Sequence, residues 1–457
     1  MEQTMANAYI KTNAREKSFL QTTRAFLNSY LFYALQTLAA CLFVAFRMYI
    51  AGVIAFAVLL CIILLVCEDV FSTTLPFLIL SCVATNCYNS YKIFMPYVAY
   101  AAIPVVCIVA HFMVYAKPLR IGESFYGICA VSVALLLGGV GYFSLIEYAY
   151  GAYYILGLGV GMMIVYLLMK SQFSVWRSYD VKEQFAVIMT FMGVVCAGTI
   201  IVGYARKWLG LEYQVQAWLP FSHNNISTLL MFAMPFPLYF SGKKSFLGVL
   251  SVFFYGAICF TKSRGGLLFG GVELTVCGVY WIFNSKRKWL RLTIAVSFLV
   301  VLLACCGSFA WKVLQRRVFA DNQITGDPRY EMMWQAWENF LKNPLVGTGL
   351  LEKNLKYAET RKAGALTWYH MMIPQVVGSM GIVGILAYGY QIWGRTKLIF
   401  KNKNAWAMVL GISYLGILMM SQVNPGEFCP LPFELLTVLI FIFLEENAEN
   451  RLPLAKR

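Results

Sequence analysis

Arg329 to Leu350, RYEMMWQAWENFLKNPLVGTGL, belongs to a polar stretch at residues 312–369 that interrupts a chain otherwise built of one apolar run after another. Hydrophobic residues make up 60% of the chain and charged residues only 13%, with a mean hydropathy of +0.67. Soluble chains are about a quarter charged, and a soluble domain could not hide this much apolar surface. The apolar runs are about 20 residues long, enough to cross a hydrocarbon core of about 30 Å. An all-α polytopic membrane protein is expected.

Reading the runs against loop charges places about fourteen spans, or twelve if those flanking Glu68-Asp69 merge or re-enter. Their centres fall near positions 37, 58, 78, 104, 132, 160, 194, 232, 252, 274, 301, 382, 413 and 437. Residues 1–26 then form an N-terminal tail, 27–311 the first eleven spans, 312–369 an extracytoplasmic loop, 370–444 the last three spans and 445–457 a second tail. The tail is polar and charged before the first span, unlike a cleavable signal peptide. Lys and Arg gather in alternate segments, among them Arg24, Lys117, Lys170, Lys182, Arg395, Lys397 and Lys401. The other segments hold fewer: Arg47, Lys92, Arg206-Lys207 and Lys262/Arg264. The positive-inside rule makes the first set cytoplasmic, puts both termini inside and turns the long loop outward. It also accounts for the net charge of +16 without nucleic acid, since no basic stripe with interleaved aromatics occurs. Cysteines are scattered through the spans with no CxxC spacing, so they read as small buried hydrophobes.

Within the loop, Asp327 can cap a helix and Pro328 suits its first position. Tyr330, Met333, Trp334, Trp337 and Leu341 share one helical face, and Pro344 ends the helix. Such a helix lies on the bilayer with its aromatics at the interface, and it could also roof a cavity.

Three histidines can carry proton chemistry. His111 lies inside a span and reads as packed or helix-bonded, while His223 precedes Asn224-Asn225 at an outer boundary. His370 follows Trp368-Tyr369 at the outer mouth of a span, where it is either an interfacial cap or a general base. An imidazole of unperturbed pKa about 6.5 can accept a hydroxyl proton at neutral pH. Arg264 opens a span in Lys262-Ser263-Arg264-Gly265-Gly266. Either it snorkels while the glycines allow close helix contact, or it is a cation held for an anion. With Arg206 and Arg329 on the same side, a phosphate-bearing substrate is suggested. No DxD pair on the outer face, Walker A, GxSxG or HExxH pattern is present.

In order and spacing these pieces resemble the O-antigen ligase and O-antigen polymerase superfamily of bacterial membrane glycosyltransferases. The carrying motifs are FSHNNIST (Phe221–Thr228), SRGGLL (Ser263–Leu268), Arg329–Leu350, His370 and GSMGIVG (Gly378–Gly384). The resemblance covers about residues 200–390. It implies a GT-C-like bundle that takes a glycan from an undecaprenyl-diphosphate carrier on the outer face, with inversion and with neither metal nor other cofactor. His370 would activate the acceptor hydroxyl, and Arg264 and Arg329 would engage the diphosphate. Arg206, Lys262, Ser263, Asn224, Asn225, Trp334, Trp368 and Tyr369 are the candidates for substrate binding. Met371 stands where the family commonly has a polar residue such as Asn after its His. Polymerisation of repeat units is the first expectation, with ligation of a finished glycan to a lipid or wall anchor as the alternative. The partners implied are the lipid-linked glycan and the bilayer, with a chain-length regulator and a flippase beside them. A transporter of lipid-linked sugars is the rival from another class, and it predicts charged or broken helices near the midplane. Glu273 is the exception to a general lack of Asp and Glu in mid-span.

Overall fold

The computed structural model describes residues 21–68, 71–85, 94–115, 117–143, 157–176, 181–211, 223–241, 245–297, 300, 315, 328–349, 369–424 and 431–449. Among them all regular structure is helical. The principal helices are α1 (Tyr30–Ala45), α2 (Tyr49–Val66), α3 (Thr74–Thr85), α4 (Ala102–Val114) and α5 (Glu123–Phe143). They continue with α6 (Met162–Trp176), α7 (Val181–Trp208), α8 (His223–Ala233), α9 (Val249–Phe260) and α10 (Arg264–Phe283). The last four are α11 (Pro328–Lys342), α12 (Met372–Lys401), α13 (Ala405–Met420) and α14 (Leu431–Ala448).

Four of these, α2, α7, α10 and α12, are long and apolar enough to cross a membrane. The segment Gln21–Leu27 and α1, bent by 54°, make a fifth if taken as one span. The chain is a multi-pass, all-α membrane protein. Asp327, Trp368, most of the sequence around position 301 and both chain ends lie outside the described residues. Glu68 separates two distinct helices, α2 and α3, where the sequence left room for a merger.

The helices gather into two compact units, residues 1–118 with 172–222 and residues 119–171 with 223–457. In the first, the last carbonyls of α2, which have no helical partner of their own, are met by side chains. Arg24 Nε donates to Val66 O at 2.9 Å and His111 Nδ1 lies 2.7 Å from Leu64 O. Lys117 pairs with Glu68 at 2.9 Å and Tyr30 bonds Glu183 at 2.9 Å at the same end. At the other end Arg206 donates to Ala45 O. Arg24 and Lys117 thus share one end of the unit and Arg206 has the other, the partition the loop charges suggested.

In the second unit α5 runs antiparallel along α12. Gly127 lies against Gln391 and Gly138 against Ser379, with room for no side chain at the latter, where a Cβ would come within 2.7 Å of Ser379 O. Between these contacts Val131, Ala134 and Leu135 of α5 share a buried cluster with Met380, Ala387 and Tyr388 of α12. Glycine contacts of this kind let membrane helices approach closely enough for dispersion to hold them. Glu273 of α10 is fully buried, its carboxyl set against Gly416 of α13.

A buried ion cluster staples the end of this unit where α5 begins. Lys170 Nζ lies 2.8 Å from Glu445 and 2.9 Å from Glu446, and all three side chains are at most 2% exposed. Glu445 also accepts from Tyr166 OH at 2.6 Å and from the Ser124 backbone N–H at 2.6 Å. Lys401 bonds Glu123 at 3.0 Å at the same end. Removing one member of a buried pair strands its partner, at about 3–5 kcal/mol. Lys170→Met is therefore expected to lower the unfolding temperature markedly in detergent. Lys397→Met, whose side chain is 61% exposed, should leave it nearly unchanged.

Candidate functional site

The opposite end of this second unit is where α8, α10 and α12 begin and α13 stops. It is assembled by helix caps. Ser263 sits in extended conformation before α10, and its Oγ accepts from Gly266 N at 3.0 Å while donating to Asn224 Oδ1 at 2.7 Å. The cap therefore joins the first turn of α8 to that of α10. Asn225 Oδ1 accepts from Asn424 Nδ2 at 3.2 Å, which brings in the chain just beyond α13. From there Ser421 O takes the Met372 N–H at 2.8 Å, so the start of α12 is tied to the same rim.

Gly265 and Gly266 serve helix contact. A Cβ on the first would fall 2.4 Å from Val423 Cγ2, and one on the second 2.8 Å from Ser227 Cβ. Between the two explanations the sequence left open for the glycines, the packing one accounts for them. Arg264 itself is half-buried beside the bare first turn of a 20-residue helix, whose N-terminal N–H groups favour anions.

His370 is held by its neighbours. Asn339 Nδ2 of α11 donates to Tyr369 OH at 2.6 Å, and Met332 and Ala336 pack on the same ring. Tyr369 N donates to Gln375 Oε1 at 3.1 Å, and Gln375 Nε2 donates to Ser379 Oγ at 2.8 Å. His370 has φ +53, and Lys262, next to the Ser263 cap, has φ +65. Left-handed backbone is uncommon outside glycine and costs energy that the surroundings must supply. Two of the three such residues described therefore sit at this rim.

Below His370, α12 is broken. Gly381 is non-helical, with φ 59 and ψ −148. In an unbroken helix Ile382 N and Val383 N would bond to Gly378 O and Ser379 O. Here Ile382 N donates to Pro344 O at 2.8 Å and Val383 N to Leu345 O at 3.1 Å. The two carbonyls so released accept from Thr348 N and Gly349 N, each at 3.0 Å. Residues 344–349, the loop after α11, are thus laid into the gap as a main-chain ladder.

The candidates fare differently. Lys262, Ser263, Arg264, Asn224, Asn225, Tyr369 and His370 come together at this rim. Arg329 lies one turn before Met332, on the helix that packs on Tyr369. Tyr369 is fully buried, and its hydroxyl accepts from Asn339 Nδ2. Ser263, 2% exposed, caps α10. Trp334 is 65% exposed on the side of α11 away from Tyr369. Arg206 belongs to the other compact unit. Among the described residues no group of three or more His, Cys, Asp or Glu is placed to hold a metal ion. Asn339, Gln375 and Asn424 were not singled out from the sequence. Asn339 could have been, as a polar residue on the face of α11 opposite its aromatics.

Residues 249–389 match the family model of the O-antigen ligases. The matched part of the chain runs from α9 into α12 and holds Lys262–Arg264, Arg329, the loop 344–349, His370 and the break at Gly381. Asn224, Asn225 and Arg206 lie outside it. No curated protein matches the chain.

The ladder sets a steric demand within the O-antigen-ligase-like segment. Gly347 has φ +70, and a Cβ there would lie 2.3 Å from Ser379 C. Gly347→Ala is expected to destabilise by about 1–3 kcal/mol, read as a lower unfolding temperature in detergent. Exposed Leu345→Ala should cost much less.

Proposed function

We propose that this protein is a glycosyltransferase that moves a glycan from an undecaprenyl-diphosphate carrier to an acceptor hydroxyl on the outer face of the plasma membrane. The match of residues 249–389 to O-antigen ligases carries the reading and favours ligation to a separate acceptor over polymerisation of repeat units. The geometry supports it, because Lys262, Arg264 and His370 share the end of their unit opposite Lys170 and Lys401. With the latter pair cytoplasmic the rim faces outward, in a bundle of about 12–14 spans.

In this reading His370 takes the proton of the acceptor hydroxyl as its oxygen attacks the anomeric carbon from the face opposite the diphosphate. The bond from that carbon to the phosphate oxygen breaks with inversion, and the diphosphate leaves on its lipid. Arg264, with the first turn of α10, and Arg329 stabilise the charge that grows on it. The Gln375–Tyr369–Asn339 chain holds the base in place.

Transport of lipid-linked sugars gains one observation, the break in α12, since transporters build sites on broken helices. In such sites the freed backbone groups face a ligand, whereas Gly378 O, Ser379 O, Ile382 N and Val383 N are all taken by residues 344–349. That weighs for the transferase.

The test supplies purified protein in lipid discs with undecaprenyl-diphosphate oligosaccharide, with and without a lipid-anchored glycan acceptor. Wild type should glycosylate the acceptor, and His370→Ala should do so about 10²–10⁴-fold more slowly. Arg264→Lys should lose more than a charge count implies, since a point charge does not replace a bidentate fork. Lengthening of the donor without acceptor would replace ligation by polymerisation. Donor crossing a vesicle bilayer without any transfer would overturn both.

A further inference from the structure

Helix α11 presents two opposed faces. Met332, Ala336 and Asn339 are 7%, 1% and 1% exposed and dock on Tyr369. Tyr330, Met333, Trp334, Trp337 and Leu341 are 47–65% exposed, and at about 100° per residue they fall within one arc of about 100°. Glu331, Glu338 and Lys342, all exposed, line the next sector. Trp334 Nε1 donates to Glu338 Oε1 at 2.9 Å, so its polar edge is satisfied at that flank while its ring stays on the apolar arc. Water is a poor neighbour for such an arc.

The surroundings of α11 say what covers it. The helix is fixed to a membrane span by the Asn339–Tyr369 bond at one level and by the 344–349 ladder just after its C-terminus. It cannot move out into water without breaking both. On the span that α11 packs against, and in the ladder, Leu345, Ile373, Ile382 and Leu386 are likewise 64%, 61%, 41% and 67% exposed. An apolar arc that carries Trp and Tyr beside a charged, polar sector is the make-up of a helix at the headgroup boundary.

We propose that α11 is an interfacial anchor, seated by this arc in the headgroup layer at the rim of its unit, and that the bilayer thereby holds the Tyr369–His370 turn in place through Asn339. The partner is the lipid surface itself. Neither part depends on the transfer reaction, so the inference can fail while the proposed function stands, and the reverse.

The test uses the full chain in lipid discs, with a photoreactive benzophenone amino acid placed at Trp337, at Leu341 and, as the water-side control, at Glu338. Irradiation followed by mass spectrometry should give phospholipid adducts at the first two positions and at least ten-fold fewer at the third. Adducts to protein, whether residues 350–368 or a second copy, or equal labelling at all three, would overturn the seat. The second measurement is amide hydrogen exchange in Trp337→Asp/Leu341→Asp. Exchange at Tyr369 N–H, which is bonded to Gln375, should rise at least ten-fold while the α6–α14 end stays protected. Unchanged exchange there would overturn the hold on His370, and loss of protection everywhere would overturn the assignment of these residues to an anchor in favour of a packing role.

Discussion

A backbone group inside hydrocarbon must find a protein partner, because no water is there to serve it. Much of the site answers that constraint at one place. Gly381 interrupts α12, and residues 344–349 supply what the interruption takes away. Four inter-segment bonds replace the two helical ones. The chain that makes them is the continuation of α11, so satisfying the break also fixes that helix. From there Asn339 reaches Tyr369, and His370 follows. A histidine on a loop would ordinarily be mobile. Here it is placed by a helix break, a ladder and three side-chain hydrogen bonds, all within the part of the chain that matches the O-antigen ligases.

The other half of the rim depends on small residues and caps. Ser263 caps α10 and binds Asn224, and Gly265 and Gly266 let Val423 and Ser227 close in. The outcome is a half-buried arginine at the start of a long helix, where helix dipole and guanidinium act in the same sense on an anion. At the far end of the unit the same chain spends its buried charges differently, with Lys170, Glu445 and Glu446 paired among themselves.

Several features were legible in the sequence because they follow from local chemistry. Apolar runs gave α2, α7, α10 and α12, and Pro328 and Pro344 bracketed α11. The aromatic face of α11 was legible as a face because helical period alone defines it. What covers that face was not, since period says nothing of neighbours. The burial of Tyr369 was not legible in its own Trp-Tyr-His run. The hydrogen bond that buries it comes from Asn339, 30 residues earlier. The break at Gly381 was hidden for the same reason. GSMGIVG reads as a small-residue helix, and only the loop that enters it shows which glycine has left helical geometry. Glu273 could not be assigned to lipid or protein from its own helix. Its neighbour Gly416 lies on α13.

Synthesis runs in one direction, and the order of these parts along the chain fits it. The piece of α12 before the break, Met372–Met380, is about 14 Å long, and the uncharged piece after it, Ile382–Gly394, about 20 Å. Neither alone crosses about 30 Å of hydrocarbon. The segment that splices them is made first, so it already exists when the two half-helices leave the ribosome. A permuted chain that delivered residues 344–349 after α12 would ask the membrane to accept an unspliced gap before its filler existed.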